Sequence, residues 1–184
     1  MKKKIVSTVI LTALFFMFSN PAHVFAQEKE CKSVIEIKQV EAQKTIVIKA
    51  DIPTNSIGSA MGKAYEKLFG FLSGNNIVPA GSPFTVYYSF DPIGNTVFEA
   101  GVPVNAPVEG NNEITYKEFP AMKVVSTLYK GAYDAMEPVY GEIDKYIKTN
   151  GLESTGTSWE VYLTDPNQLK DQNDNQTIVY FPIK

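Results

Sequence analysis

Phe84-Thr85-Val86-Tyr87-Tyr88-Ser89-Phe90-Asp91-Pro92 and Ser158-Trp159-Glu160-Val161-Tyr162-Leu163-Thr164-Asp165-Pro166 are one pattern written twice. In both, a β-prone run leads into an Asp-Pro pair, as a strand does when it is delivered into a turn. Alignment on the two Asp-Pro pairs sets Tyr88 against Tyr162 and Val86 against Glu160. The repetition extends upstream. Ile57, Met61, Tyr65, Leu68, Phe69 and Leu72 recur at three- and four-residue steps, and so do Met136, Val139, Tyr140, Ile143, Tyr146 and Ile147. Each set predicts a helix with a single apolar stripe. Thr54, Asn55 or Ser56 is placed to cap the first helix, and Lys148-Thr149-Asn150-Gly151 ends the second with a basic last turn and residues that tolerate a left-handed cap. Pro138 leaves the start of the second helix open.

β-rich runs precede both helices, at Thr45 to Ala50 and Met122 to Tyr129, and follow both turns, at Thr96 to Val104 and Thr177 to Ile183. Each half is therefore β-α-β-β. One such unit leaves a sheet face and a helix stripe uncovered, so two units packed about a pseudo-twofold axis are expected to close a common core. The expected fold is α+β, an antiparallel sheet with two main helices. The repeats span 44–104 and 114–184, joined by a linker at 105–112 and preceded by an N-terminal arm at 27–43. Asn167 to Gln176, rich in Asp, Asn and Gln, reads as a solvated loop.

Met1 to Ala26 reads as a cleavable signal peptide of bacterial type. Three lysines follow Met1, an apolar run extends from Ile5 to Phe18, and Val24-Phe25-Ala26 offers small residues to a signal peptidase. That run is shorter than the roughly 20 apolar residues a bilayer-spanning helix needs, so no stable membrane span is expected. The expected product begins at Gln27 and is exported, periplasmic or extracellular. Cys31 follows Glu30, which does not suit lipidation, and a lone cysteine has no internal partner. Removal of three lysines leaves 14 against 20 acidic residues, a net charge of about −6. There is no arginine, so the planar fork that reads phosphates and guanine edges is missing, and nucleic acid is not an expected partner.

The order Leu128-Tyr-Lys-Gly-Ala-Tyr-Asp134, helix, Asn150-Gly-Leu152, Trp159-Glu-Val-Tyr-Leu-Thr-Asp-Pro166, Thr177-Ile-Val-Tyr-Phe-Pro-Ile183 resembles the GyrI-like superfamily, the effector-binding domain of bacterial transcription activators. The resemblance covers about residues 44–184. It implies two β-α-β-β units enclosing a cleft for hydrophobic, often cationic or aromatic, small molecules, with aromatic walls and a glutamate in a Glu-x-Tyr strand. Here those positions are Glu160 and Tyr162. The helix-turn-helix part that the regulators carry has no counterpart, which argues against a gene-regulatory role.

A mid-strand carboxylate is costly to bury unless it is paired, and Glu160 taken alone reads as an outward-facing residue. With the resemblance it becomes the acid of a ligand cleft. Tyr162 and Tyr88 are candidate walls, with core packing as the alternative, and Tyr129 and Tyr133 flank the turn that enters the second helix. Trp159 has the opposite strand parity and belongs to core or rim. Tyr65, Tyr140 and Tyr146 lie on helix stripes and read as core. His23, the single histidine, lies in the signal peptide, so histidine-based triads are excluded. No metal site or cofactor is expected. The leading expectation is an exported binding protein for hydrophobic ligands, cationic aromatic ones among them. The alternatives are a hydrolase of reactive small molecules with Glu160 as general base and Tyr162 or Tyr129 assisting, and a protein-interaction domain without ligand. Oligomeric state is left open.

Overall fold

The computed structural model describes residues 34–184. The expected signal peptide, Cys31 and the start of the arm lie outside them. The elements are β1 (Glu36–Val40), β2 (Gln43–Pro53), α1 (Ile57–Gly74), β3 (Phe84–Phe90), β4 (Asn95–Pro103), β5 (Thr115–Phe119), β6 (Met122–Lys130), α2 (Glu137–Thr149), β7 (Ser158–Tyr162) and β8 (Gln176–Pro182), with short 3-10 turns between them. The fold is α+β, as expected. No described helix is long and apolar enough to cross a membrane.

All strands pair antiparallel, in the order β1-β6-β8-β7-β3-β4-β2-β5. Exchanging β1 with β5, β2 with β6, β3 with β7 and β4 with β8 returns the same order, which is the pseudo-twofold arrangement the repeat predicts. The axis passes between β3 and β7. Two edge strands exceed the β-α-β-β expectation, and β1 lies within the stretch read as an arm. Only Glu41-Ala42 separates β1 from β2, and only Pro120-Ala121 separates β5 from β6. Val40↔Met122 closes one ladder and Gln43↔Phe119 opens the next, with the same step taken along both strands. One register thus runs through both ladders. Pairing forms a closed circuit of β1-β2, β5-β6, β8, β7, β3, β4 and β2 again, so the sheet curls until it meets itself.

The curl explains why the apolar residues divide into three clusters. Inside it, Val47, Phe84, Val86, Phe119 and Trp159 pack together. Trp159 stacks on Phe84 (centroids 5.3 Å, planes 17° apart) and meets Phe119 edge-on at 4.5 Å. Gly101 permits this, because a Cβ there would stand 2.3 Å from Cζ of Phe84. Outside the curl, α1 lays Ala64, Leu68 and Leu72 on β2 and β4, and α2 lays Val139, Ile143 and Ile147 on β6 and β8. The second helix ends as its sequence suggests, with Gly151 at φ +62°, and Asn76 at φ 54° does the same for the first. None of the three expected hydroxyl or amide caps of α1 is made: Ser56 is the N-cap residue without a side-chain cap bond, and Thr54 bonds Thr96 Oγ1 at 2.7 Å instead.

Candidate functional site

The outer faces of β3 and β7 lie on the axis, between the two helices. Thr85 and Glu160 are cross-strand partners there, and Tyr87 and Tyr162 follow at the next position along on the same face. Tyr65 arrives from α1 and Tyr140 from α2. The glutamate is 8% exposed. Its Oε2 accepts hydrogen bonds from Tyr162 at 2.7 Å and Tyr87 at 3.2 Å, and its Oε1 accepts one from Tyr140. Across the axis, Tyr65 Oη donates to the Phe84 carbonyl at 2.7 Å and lies 2.9 Å from Thr85 Oγ1, which is 3.2 Å from Tyr162 Oη. The four phenols are related in pairs, Tyr65 with Tyr140 and Tyr87 with Tyr162. The symmetry breaks at one position: the first half has a threonine hydroxyl where the second has a carboxylate.

A desolvated carboxylate without compensation costs several kcal/mol. Hydrogen bonds to a charged group return about 1.5–3 kcal/mol each, so three phenol donors go far toward offsetting that cost without a counter-charge. No lysine stands within ion-pair distance of Glu160 among the described residues. All four phenols are pushed well above the ordinary tyrosine range, by burial first and by the Glu160 charge as well. Protonated, they are fixed donors around an acceptor.

Tyr133 meets the Tyr162 ring edge-on at 5.7 Å and is 39% exposed, so it borders the cluster. Tyr129 donates its hydroxyl to the Ala132 carbonyl at 3.0 Å and packs toward α2. Trp159 is core, inside the curl, as its parity requires.

Tyr88 faces the other way. β3 carries a bulge between Tyr87 and Ser89, which pair with the consecutive residues Phe98 and Val97. Tyr88 is the extra residue, and it turns into the curl to donate to Glu99 Oε2 at 2.7 Å. Up to Tyr87, each residue of the first half corresponds to one a single position beyond that given by the Asp-Pro alignment, which makes Thr85 the counterpart of Glu160 and Tyr87 that of Tyr162. Beyond the bulge the extra residue has been absorbed, and the correspondence is that of the Asp-Pro turns. Alignment on those turns therefore misassigned Tyr88 and Val86. Glu99, 6% exposed, is the other buried acid on the sheet, and it has a cation, Lys117, at 2.6 Å. Burial works to lower the Lys117 pKa, but its bonds to Glu99 and Tyr88 outweigh that and hold it above the usual lysine value.

Tyr65, Tyr87 and Tyr140 were missed by sequence reasoning. The available signal was the spacing of the helix stripes: Met61 to Met136, Tyr65 to Tyr140, Leu68 to Ile143 and Leu72 to Ile147 are the same interval, one position longer than that from Asp91 to Asp165. No group of three or more His, Cys, Asp or Glu suited to a metal occurs among the described residues.

No curated protein matches the chain. Among solved structures, the C-terminal domain of EcmrR is similar at 19% identity and TM-score 0.70, over 83% of this chain and 98% of that one. The longer EcmrR chain in its DNA complex matches at 18% identity and TM-score 0.73, over 83% of this chain and 57% of that one. A hydrolase from Listeria innocua matches at 16% identity and TM-score 0.62 (82% and 91%), and SAV2435 bound to tetraphenylphosphonium at 11% identity and TM-score 0.57 (82% and 94%). At such identities the likeness is one of fold. A family match supplies more, for residues 33–184 fit the GyrI-like small molecule binding domain, and the chain belongs to that family.

Proposed function

We infer that this GyrI-like small-molecule binding domain takes aromatic cations at Glu160, and that it does so outside the cytoplasm. The observation that carries the ligand class is the contrast between the two buried glutamates. Glu99 has Lys117 beside it, whereas the bonded partners of Glu160 are neutral phenols. A carboxylate held this way has no cation of the described residues paired with it, which leaves that place to a ligand, and tyrosine faces add cation–π attraction of about 0.5–2 kcal/mol per ring. SAV2435, a neighbour in fold, is bound to tetraphenylphosphonium, which is an aromatic cation. Export rests on the lysines and apolar run between Met1 and Ala26 and is read out by N-terminal sequencing of the accumulated protein, expected to begin at Gln27.

Calorimetric titration with tetraphenylphosphonium and with a neutral aromatic of similar size tests the ligand class. Glu160→Gln is expected to weaken the cation at least tenfold and to leave the neutral compound unchanged. Equal effects on both, or none, would remove Glu160 from the site. A second reading, hydrolysis, is favoured by the Tyr162 hydroxyl 2.7 Å from the Glu160 carboxylate, a spacing suited to a general base and its orienting partner. Recovery of bound ligand unchanged after long incubation decides against it.

A further inference from the structure

The halves differ at a second place, beside the tyrosine cluster. On β8, Thr177 is the cross-strand partner of both Tyr162 and Tyr129, and Val179, next along on the same face, packs under α2. Thr177 therefore shares the face that carries Glu160 and Tyr162. It is fully buried, and its Oγ1 has no hydrogen-bond partner. Asn175, just before the strand, is also fully buried. Its amide nitrogen donates to Gln172 Oε1 at 2.9 Å and its main-chain oxygen accepts from Gly131 at 3.0 Å, but its Oδ1 has no partner.

Such orphans are few in native proteins, and each costs stability. The first half avoids both. Phe98 is the partner of Tyr87 as Thr177 is of Tyr162, so an apolar ring stands where the second half has a hydroxyl. Thr96 stands where the second half has Asn175, and its hydroxyl is bonded to Thr54 at 2.7 Å. The same fold thus satisfies or avoids these polar atoms in one half and leaves them unpaired in the other, on the sheet face that carries Glu160.

We propose that Thr177 Oγ1 and Asn175 Oδ1 form a hydrogen-bonding subsite for the N–H groups of a ligand, so that the cleft selects primary or secondary arylalkylammonium compounds over quaternary ones. Carboxylate and orphan oxygens are acceptors for the same kind of donor, and a quaternary nitrogen offers charge without donors. The proposal rests on the cation reading of Glu160.

The test compares 1-naphthylmethylammonium with its N,N,N-trimethyl derivative by calorimetry on the full protein. The primary ammonium is expected to bind about tenfold more tightly, the scale of one hydrogen bond. Thr177→Val, close in shape, is expected to erase that preference and to raise the Tm of the ligand-free protein by removing an unpaired hydroxyl, and Thr177→Ser to retain the preference. Equal binding of the two cations to the unaltered protein, or a preference that survives Thr177→Val, overturns the subsite and leaves the Glu160 reading intact. Binding of neither overturns both.

Discussion

Tyr65, Tyr87, Tyr140 and Tyr162 are half-buried rings whose hydroxyls turn inward to Glu160 and Thr85, and their chemistry sets a pH limit on the fold. Each has a pKa raised above the ordinary value near 10 by burial and by the neighbouring charge. For an acid whose folded pKa exceeds its unfolded one, the unfolded chain releases its proton first as pH climbs. Stability from these four is thus complete below about pH 10 and is lost as pH rises above it. Ultraviolet titration of phenolate is expected to show the exposed fraction of the ten tyrosines ionising reversibly, with these four ionising only as the protein unfolds. In Glu160→Gln the charge contribution vanishes, so the four should titrate at lower pH. A smooth titration of all ten in the folded protein would show that these hydroxyls are not held.

One bulged residue in β3 decides which aromatic residues share a sheet face with Glu160, and it marks the limit of what sequence alone could show. The helix stripes, the two Asp-Pro turns and the β-α-β-β order were all legible, because apolar periodicity and turn chemistry are local properties. The opposite parity of Trp159 and Glu160 was legible for the same reason. A bulge has no residue signature here: Tyr87 and Tyr88 are the same residue type, and only the pairing with β4 shows which of them is extra. The closed circuit of strands was hidden for a related reason, since β1 and β5 each take their places by pairing with a strand of the opposite half. Tyr88→Phe and Tyr87→Phe separate the two faces. Tyr88→Phe is expected to leave cation affinity unchanged while losing about 1–2 kcal/mol of stability with its bond to Glu99. Tyr87→Phe is expected to alter cation affinity, because it removes a donor from Glu160. Calorimetry and urea melts on the two variants give both quantities, and a Tyr88→Phe protein with impaired binding would return that ring to the proposed Glu160 site.

Seen as a whole, the molecule has a single tryptophan placed where both halves meet, and this makes its cooperativity measurable. Trp159 belongs to the second half, its stacking partner Phe84 to the first, and its edge-on neighbour Phe119 to β5, a second-half strand that pairs with β2 of the first. Neither half can complete this interior alone, since the curl is built from strands of both. Unfolding followed by Trp159 fluorescence should therefore coincide with unfolding followed by far-ultraviolet dichroism, in one transition. Phe119→Ala offers the stricter test. It lies on an edge strand far from the tryptophan in chain order, yet the ring is almost fully buried against it. Loss of a buried phenylalanine costs about 3–5 kcal/mol, a large part of the roughly 5–15 kcal/mol available to a domain. The expected variant is folded, with a lower urea midpoint, a red-shifted Trp159 emission, and fluorescence and dichroism still falling together. If the two signals part, the halves unfold separately, and the common interior does not bind them into one cooperative unit.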